Sequence, residues 1–212
     1  MDLNLTEASA LATIDRQIEA TTGNVPPAQY EIIRQVICTS ADFEYQSSLQ
    51  FSQGALAKGA AALTAAAPII VDLPEIQVSI VPRLQQTFAN PVYCCATTSS
   101  KVVESTDTKA SQGLKILAAK YPHGIYLIGQ DRAAMTMMVN LIEQKAIEPS
   151  LAIATPPTLV ELAAKQKLRD SATPNIQIAG GKGGSNIATT IFNTLLELAW
   201  QVHQQNRQQL NL

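Results

Sequence analysis

Five short apolar runs, separated by stretches with helical spacing, constrain the fold of this 212-residue chain more than any other feature. The runs are almost uniformly apolar, which is typical of strands that are covered on both faces of a parallel sheet. Successive parallel strands must be joined by crossovers, and helices supply them. The pattern therefore predicts an α/β fold, a single-domain three-layer sandwich in which helices flank a mainly parallel five-stranded sheet. The runs are residues 68–72, 91–96, 124–129, 150–154 and 175–179.

Several helices are indicated by apolar residues that recur every three or four positions. In the second half of the chain, helices are predicted over residues 131–144, 161–168 and 185–205. In the first half, helices are predicted over residues 6–20, from Pro26 onward, and over the alanine-rich residues 53–67. Proline suits the first turn of a helix, and alanine has the highest helix propensity.

The length of the chain favours one domain with its own hydrophobic core. The sequence contains no internal repeat. We therefore expect a single domain over residues 1–212, with N-terminal helices over about 6–67 and an α/β core over about 68–206.

The balance of charges argues against a nucleic-acid or membrane partner. Fifteen lysines and arginines against seventeen aspartates and glutamates give a net charge of −2, and aromatic residues make up only 5% of the chain. A nucleic-acid surface needs a basic excess, and base stacking needs aromatic side chains. No apolar run reaches the roughly 20 residues of a membrane span, and the polar N-terminus lacks the features of a signal peptide.

Cysteine and histidine are too few and too scattered for a disulfide framework or a metal site. The three cysteines are Cys38, Cys94 and Cys95, an odd number with two adjacent members. They lack CxxC spacing, and only His123 and His203 could complement them, so they do not form a metal-binding pattern. We expect a protein of the reducing cytoplasm without a metal site.

The turn Gly180-Gly-Lys-Gly-Gly-Ser185 is the most distinctive candidate for ligand binding. It follows the last predicted strand, and in an open α/β sheet ligands bind beyond the carboxyl ends of the strands. Glycines let backbone N–H groups approach a ligand, and a helix N-terminus favours anions, so one interpretation is a site for an anion or carboxylate. The other interpretation is a tight strand–helix turn. The order of residues is not that of a P-loop.

Four further polar or reactive residues stand at the ends of strands or helices. Asp72 ends a buried strand, where an acidic side chain must be hydrogen-bonded, for example as a cap, or functional. Asp131 is the expected N-cap of the following helix, and Arg132 at that positive helix end suggests an anionic partner. Cys38 follows an apolar helical stretch, and it is either a nucleophile or acid or a buried structural cysteine.

Three motifs, in this order, carry a resemblance to a known family. They are Val36-Ile-Cys-Thr-Ser-Ala-Asp-Phe-Glu44, Pro68-Ile-Ile-Val-Asp72, and Gly180-Gly-Lys-Gly-Gly-Ser185 followed by Asn193-Thr-Leu-Leu. With their spacing and the α/β pattern, the chain resembles precorrin-8X methylmutase over about residues 6–200. The resemblance implies an isomerase of cobalamin biosynthesis, which moves a methyl group between adjacent carbons of a corrinoid ring to give cobyrinic or hydrogenobyrinic acid. It also implies a homodimer that binds the tetrapyrrole near the subunit interface and uses no organic cofactor.

The resemblance assigns roles to individual residues. Cys38 stands where the family has the histidine that acts as the acid in the rearrangement. The other implied residues would bind the substrate, several of them by holding its acetate and propionate arms. These residues are Arg34, Thr39, Asp72, Thr108, Lys109, Gly180, Lys182, Gly183, Gly184 and Ser185.

The chain departs from the family pattern at several positions. Besides Cys38, an arginine three residues earlier is Gln35, and the arginine of the glycine-rich loop is Gly181. Two glycines of the loop after the fourth predicted strand are Thr158 and Glu161. A thiol has an ordinary pKa of about 8.5 against about 6.5 for imidazolium, so it is the weaker acid by roughly 2.7 kcal/mol.

Two alternatives to an active isomerase are open. One, which follows from these departures, is a catalytically impaired paralogue that binds a tetrapyrrole or another anionic ligand on the same fold. The other, more distant, is an enzyme for phosphorylated metabolites that uses the glycine-rich loop. Turnover of precorrin-8 separates the isomerase from the impaired paralogue, and binding of any corrinoid separates both from the third possibility.

Overall fold

The computed structural model describes residues 5–19, 25–98, 107–159 and 162–210, and in them a six-stranded sheet lies between two layers of helices. The strands are β1 (Leu49–Phe51), β2 (Ile69–Val71), β3 (Val92–Cys94), β4 (Ile125–Ile128), β5 (Leu151–Ala154) and β6 (Asn175–Ile178). Their order across the sheet is β1-β6-β5-β4-β2-β3. Neighbouring strands are parallel except β1 and β6, which pair antiparallel with Gln50 opposite Gln177.

The helices of the described residues are distributed along the whole chain. They are α1 (Leu5–Glu19), α2 (Pro27–Ser40), α3 (Tyr45–Ser48), α4 (Ala55–Thr64), α5 (Pro74–Gln85), α6 (Cys95–Thr98), α7 (Lys109–Lys120), α8 (Arg132–Glu143), α9 (Ala163–Asp170) and α10 (Ser185–Leu210). In this part of the chain, none is both long and apolar enough to cross a membrane.

The prediction of an α/β sandwich with a mainly parallel sheet is confirmed, and each of the five apolar runs contains a strand. The predicted number of five strands is one too low. β1 has only three residues with a polar centre, so it carries no apolar run of its own. It lies within residues 6–67, where only helices were expected, and it is a strand because it pairs with the distant β6.

The six helices predicted from periodicity correspond to α1, α2, α4, α8, α9 and α10, with ends that differ by a few residues. Two 12-residue helices, α5 and α7, are not among the predicted helices. Pro82 lies inside α5, and an internal proline normally interrupts a helix. α7 begins at a capping box in which Thr108 and Ser111 exchange hydrogen bonds, a signal that only the structure makes explicit.

Side chains of each central strand point alternately to the two helical layers. On one face, Ile125 and Leu127 of β4 pack with residues of α1, α2, α4, α5 and α10. On the other face, Tyr126 and Ile128 pack with residues of α7, α8 and α9. All four are fully buried, which explains why the run is apolar throughout.

The strand order places a switch between β2 and β4. From β2 the chain runs through α5 to β3 at one edge, and from β4 it runs through α8 to β5 on the other side. α5 and α8 also pack on opposite faces of the sheet. The crevice outside the carboxyl ends of two such strands is the usual ligand site of an open α/β sheet. The search for a functional site therefore begins at this edge.

Candidate functional site

The glycine-rich loop after β6 fits closely against the loop after β5. A Cβ atom on Gly181 would lie 2.3 Å from the carbonyl oxygen of Thr158, and one on Gly183 would lie 2.0 Å from that of Thr155. Gly183 and Gly184 also have φ angles of +141° and +120°, which side chains disfavour. These glycines are therefore required by backbone packing and conformation, whatever ligand the loop binds.

Hydrogen bonds join the same two loops. The Thr158 N–H donates to the Gly181 carbonyl at 2.9 Å, and the Gly184 N–H donates to the Thr155 carbonyl at 2.7 Å. The Thr155 hydroxyl donates to the Gly184 carbonyl at 3.0 Å. The Gly184 amide thus has a partner within the protein, as expected of a tight strand–helix turn.

The charged residue of the loop, Lys182, lies between two carboxylates from the turn after α2. Its Nζ is 2.5 Å from Asp42 Oδ2 and 2.7 Å from Glu44 Oε2. The hydrogen bond from Lys182 lowers the pKa of Asp42, and the bonds to Asp42 and Glu44 raise the pKa of Lys182. Two motifs from opposite ends of the sequence are thereby brought into contact.

Tyr45 lies beside this contact. It is buried, and its phenol is near the Gly183 backbone N–H. Burial raises the pKa of the phenol. The turn of residues 41–45 therefore holds the glycine-rich loop through Asp42 and Glu44, with Tyr45 beside them. The sequence analysis assigned none of these three residues to the site. Their position at the end of the motif 36–44 was the available signal.

Two clefts flank the turn of residues 41–45. One, of about 590 Å³, faces the glycine-rich loop and includes Glu44 and Lys182 in its lining, with the fully exposed Leu159 at its rim. The other, of about 690 Å³, lies between α1 and α2 and is mostly apolar. The lining of this second cleft is Ser9, Ala10, Thr13, Ile14, Ile37, Cys38, Ala41 and Phe43.

Cys38 is half-buried in this apolar cleft. Of the described residues that line it, none has a side chain that titrates, apart from the cysteine itself. Thr39, the next residue, faces a different groove, where its hydroxyl lies 3.4 Å from that of Thr190 on α10. The predicted catalytic residue and its predicted neighbour thus line separate surfaces of α2.

Arg34 is held by acidic residues of the N-terminal helices. Its Nε is 2.7 Å from Asp15 Oδ1, one terminal nitrogen is 3.0 Å from Asp15 Oδ2, and the other is 3.1 Å from Glu31 Oε2. Gln35 donates to Glu31 Oε1 at 2.7 Å. The contacts with Asp15 fasten α2 to α1, whereas those with Glu31 lie within α2. A substrate contact by Arg34 stays a prediction.

Asp72 is fully buried at the carboxyl end of β2 and connects it to the loop after β4. One carboxylate oxygen accepts the Leu73 N–H at 3.0 Å, and the other accepts those of Gln130 and Asp131 at 2.8 Å each. Burial raises the pKa of Asp72, while the backbone N–H groups oppose that shift. The predicted N-cap role of Asp131 is confirmed by its 2.7 Å bond from Ala134.

The remaining predicted residues lie at helix starts. Thr108 is the N-cap of α7, and Lys109 is the first residue of that helix. Ser185 begins α10, and its hydroxyl donates to Glu75 Oε1 of α5 at 3.0 Å. Glu75 was not predicted, and it places a carboxylate at the start of α10. The described residues contain no cluster of three or more His, Cys, Asp or Glu side chains able to hold a metal ion.

Comparison with known proteins identifies the family of this chain. The family model for precorrin-8X methylmutase matches residues 6–198. The chain belongs to the precorrin-8X methylmutase family. A cobalt-precorrin-8 methylmutase of Synechocystis sp. strain PCC 6803 is 30% identical over 207 residues, covering 91% of this chain and 94% of the relative. One of Methanocaldococcus jannaschii is 27% identical and covers 79% of each chain.

A solved structure supports the same assignment. The crystal structure of precorrin-8X methylmutase from Thermus thermophilus matches with a TM-score of 0.80 and 30% identity. The match covers 92% of this chain and 98% of that one. The methylmutase family thus accounts for the fold over nearly the whole chain, including α1 and α2.

Proposed function

We propose that this chain is an isomerase of cobalamin biosynthesis that shifts a methyl group between adjacent ring carbons of a precorrin-8-type tetrapyrrole. The family match over residues 6–198 and the near-complete overlap with cobalt-precorrin-8 methylmutases support this function. The observation that carries it in this chain is the placement of two clefts on either side of the turn of residues 41–45.

The chemistry of the two clefts suits the two parts of such a ligand. The apolar cleft that contains Cys38 offers Ile14 and Phe43 to the ring. The cleft at the glycine-rich loop offers the Lys182 ammonium to a carboxylate arm. In this arrangement Cys38 occupies the acid position, and its thiol would donate the proton that a histidine donates elsewhere in the family.

A direct assay tests the proposal. Purified protein is incubated anaerobically with precorrin-8 or cobalt-precorrin-8, and absorbance is followed with time. A time-dependent product spectrum supports the isomerase, and its loss in Cys38→Ala assigns the acid role. A stoichiometric spectral change that then stays constant indicates binding without conversion. No spectral change with either compound contradicts the proposal.

A catalytically impaired paralogue that binds a tetrapyrrole is the second candidate. It is favoured by the surroundings of Cys38, since no titrating group among the described residues lines the cleft to activate the thiol. The variant Cys38→His distinguishes the two. A gain of isomerase activity over an inactive wild type would identify the impaired paralogue with an intact pocket.

Two further properties belong to the proposal. We expect a homodimer, because the family resemblance implies a substrate site near a subunit interface. Sedimentation equilibrium would show a mass of twice 22.7 kDa if this is right. We also expect the protein in the cytoplasm, where the three cysteines stay reduced.

A further inference from the structure

The charges around Lys182 do not suit an open anion site. Its ammonium is within 2.7 Å of both Asp42 and Glu44, so the three side chains together carry one net negative charge at neutral pH. A carboxylate that approaches this cluster is repelled unless one of the two resident carboxylates moves away. If the proposed function is right, the ligand must therefore compete with a group of the protein itself.

The two resident carboxylates are held to very different extents. The Asp42 side chain is 30% exposed, and its second oxygen accepts the Glu44 backbone N–H at 2.9 Å. The Glu44 side chain is 75% exposed, and within the described chain its carboxylate contacts Lys182 alone. A mostly exposed ion pair is weak, because solvent screens it and the long side chains lose freedom. Glu44 is thus the partner that a ligand can replace.

The location of Glu44 allows this exchange. Glu44 and Lys182 both line the cleft of about 590 Å³ in front of the glycine-rich loop. Rotation of the Glu44 side chain into solvent would expose the ammonium, while Asp42 would keep Lys182 at the same place. The hydrogen bonds between the loops after β5 and β6 do not involve Glu44, so this rotation leaves them intact.

We propose that Glu44 is an internal competitor that occupies Lys182 in the free protein and is displaced by a carboxylate of the tetrapyrrole. This inference rests on the proposed function and adds a specificity-determining residue to it. A ligand carboxylate can pair with Lys182 only if it binds the ammonium better than Glu44 does. Ligands whose side arms lack a free carboxylate should therefore be excluded from this contact.

The test compares two forms of one corrinoid. Cobyrinic acid carries free carboxylates, and its heptamethyl ester carries none. Both are titrated by absorbance against wild type, Glu44→Gln, Lys182→Met and Glu143→Gln. Glu143→Gln is the matched control, because Glu143 pairs with Lys167 at 2.9 Å on the surface and its loss changes the net charge equally.

The competitor model predicts a specific pattern. Glu44→Gln should bind cobyrinic acid roughly two- to fivefold more tightly than wild type, which is the range expected for an exposed ion pair. Lys182→Met should bind the acid more weakly, Glu143→Gln should match wild type, and all four proteins should bind the ester alike. The gain in Glu44→Gln should shrink at high salt, since the interaction is screened.

The outcomes separate the inference from the function on which it rests. Equal or weaker binding of the acid by Glu44→Gln, with normal binding by wild type, overturns the competitor role alone. An equal gain in Glu143→Gln overturns it too, because net charge would then be the cause. If neither wild type nor Glu44→Gln binds the acid or the ester, both the inference and the proposed function are wrong.

Discussion

Replacing Asp72 with alanine should destabilise this protein more than the loss of any single helix cap. Its carboxylate accepts three backbone N–H groups, from Leu73, Gln130 and Asp131, at distances of 2.8 to 3.0 Å. These bonds join the loops after β2 and β4 at the switch in strand order. Alanine would remove both acceptor oxygens, and all three bonds would be lost at once.

The magnitude follows from the number of bonds and the cost of burying the charge. A hydrogen bond to a charged group contributes roughly 1.5–3 kcal/mol, so three would contribute at least about 4.5 kcal/mol. Burial of the carboxylate, which raises the pKa of Asp72, offsets part of this gain. Gln130 is exposed, so water can reach its freed N–H group. We therefore expect a net loss of about 3 kcal/mol.

Denaturant unfolding of Asp72→Ala measures this loss, and Asp131→Ala is the control. Asp131 caps α8 through one bond to Ala134, so its replacement should cost about 1 kcal/mol. For a chain of this size, 3 kcal/mol corresponds to a fall in Tm of roughly 6–12 °C. If Asp72→Ala costs no more than Asp131→Ala, the reasoning from the three bonds is wrong.

Three further predictions concern other contacts. Gly183→Ala should lower the free energy of unfolding by about 2–4 kcal/mol, because its Cβ would meet the Thr155 carbonyl at 2.0 Å. Gly180→Ala, which has open space and a φ of +75°, should lower it by only about 1 kcal/mol; denaturant unfolding measures both. Because the pKa of Asp42 is lowered in the folded protein, Asp42 contributes stability above its unfolded pKa and loses that contribution as the pH falls through the folded pKa. The Tm of wild type should therefore exceed that of Asp42→Asn at pH 7, and the two Tm values should converge in acid. Thr108→Ala should lower stability by about 1 kcal/mol through loss of the α7 capping box, and Thr108→Ser should retain it.

The parts of the fold that the sequence predicts are those set by local patterns. The run 124–129 is apolar because β4 is covered on both faces, and that requirement is visible in the sequence itself. β1 is different, because its residues 49–51 form a strand only through pairing with β6. A contact between segments so far apart leaves no local pattern to detect.

The candidate site shows the same limit. Resemblance assigns Cys38 and Thr39 to one site, but successive residues of an α-helix point about 100° apart, and these two line different surfaces of α2. The ion pair between Asp42 and Lys182 joins residues 140 positions apart. The resemblance assigned Lys182 to the substrate, and only the structure reveals the two carboxylates that already pair with it.

The departures from the family pattern do not count equally against activity. Gly181 and Thr158 are in contact, since a side chain at 181 would collide with the Thr158 carbonyl at 2.3 Å. The absence of the arginine that the resemblance implies at position 181 thus agrees with the way the two loops pack here. Cys38 has no such counterpart, because none of the described residues lining its cleft compensates for the missing imidazole. Whether this methylmutase-family protein converts its ligand or only binds it therefore depends on Cys38 more than on the loops.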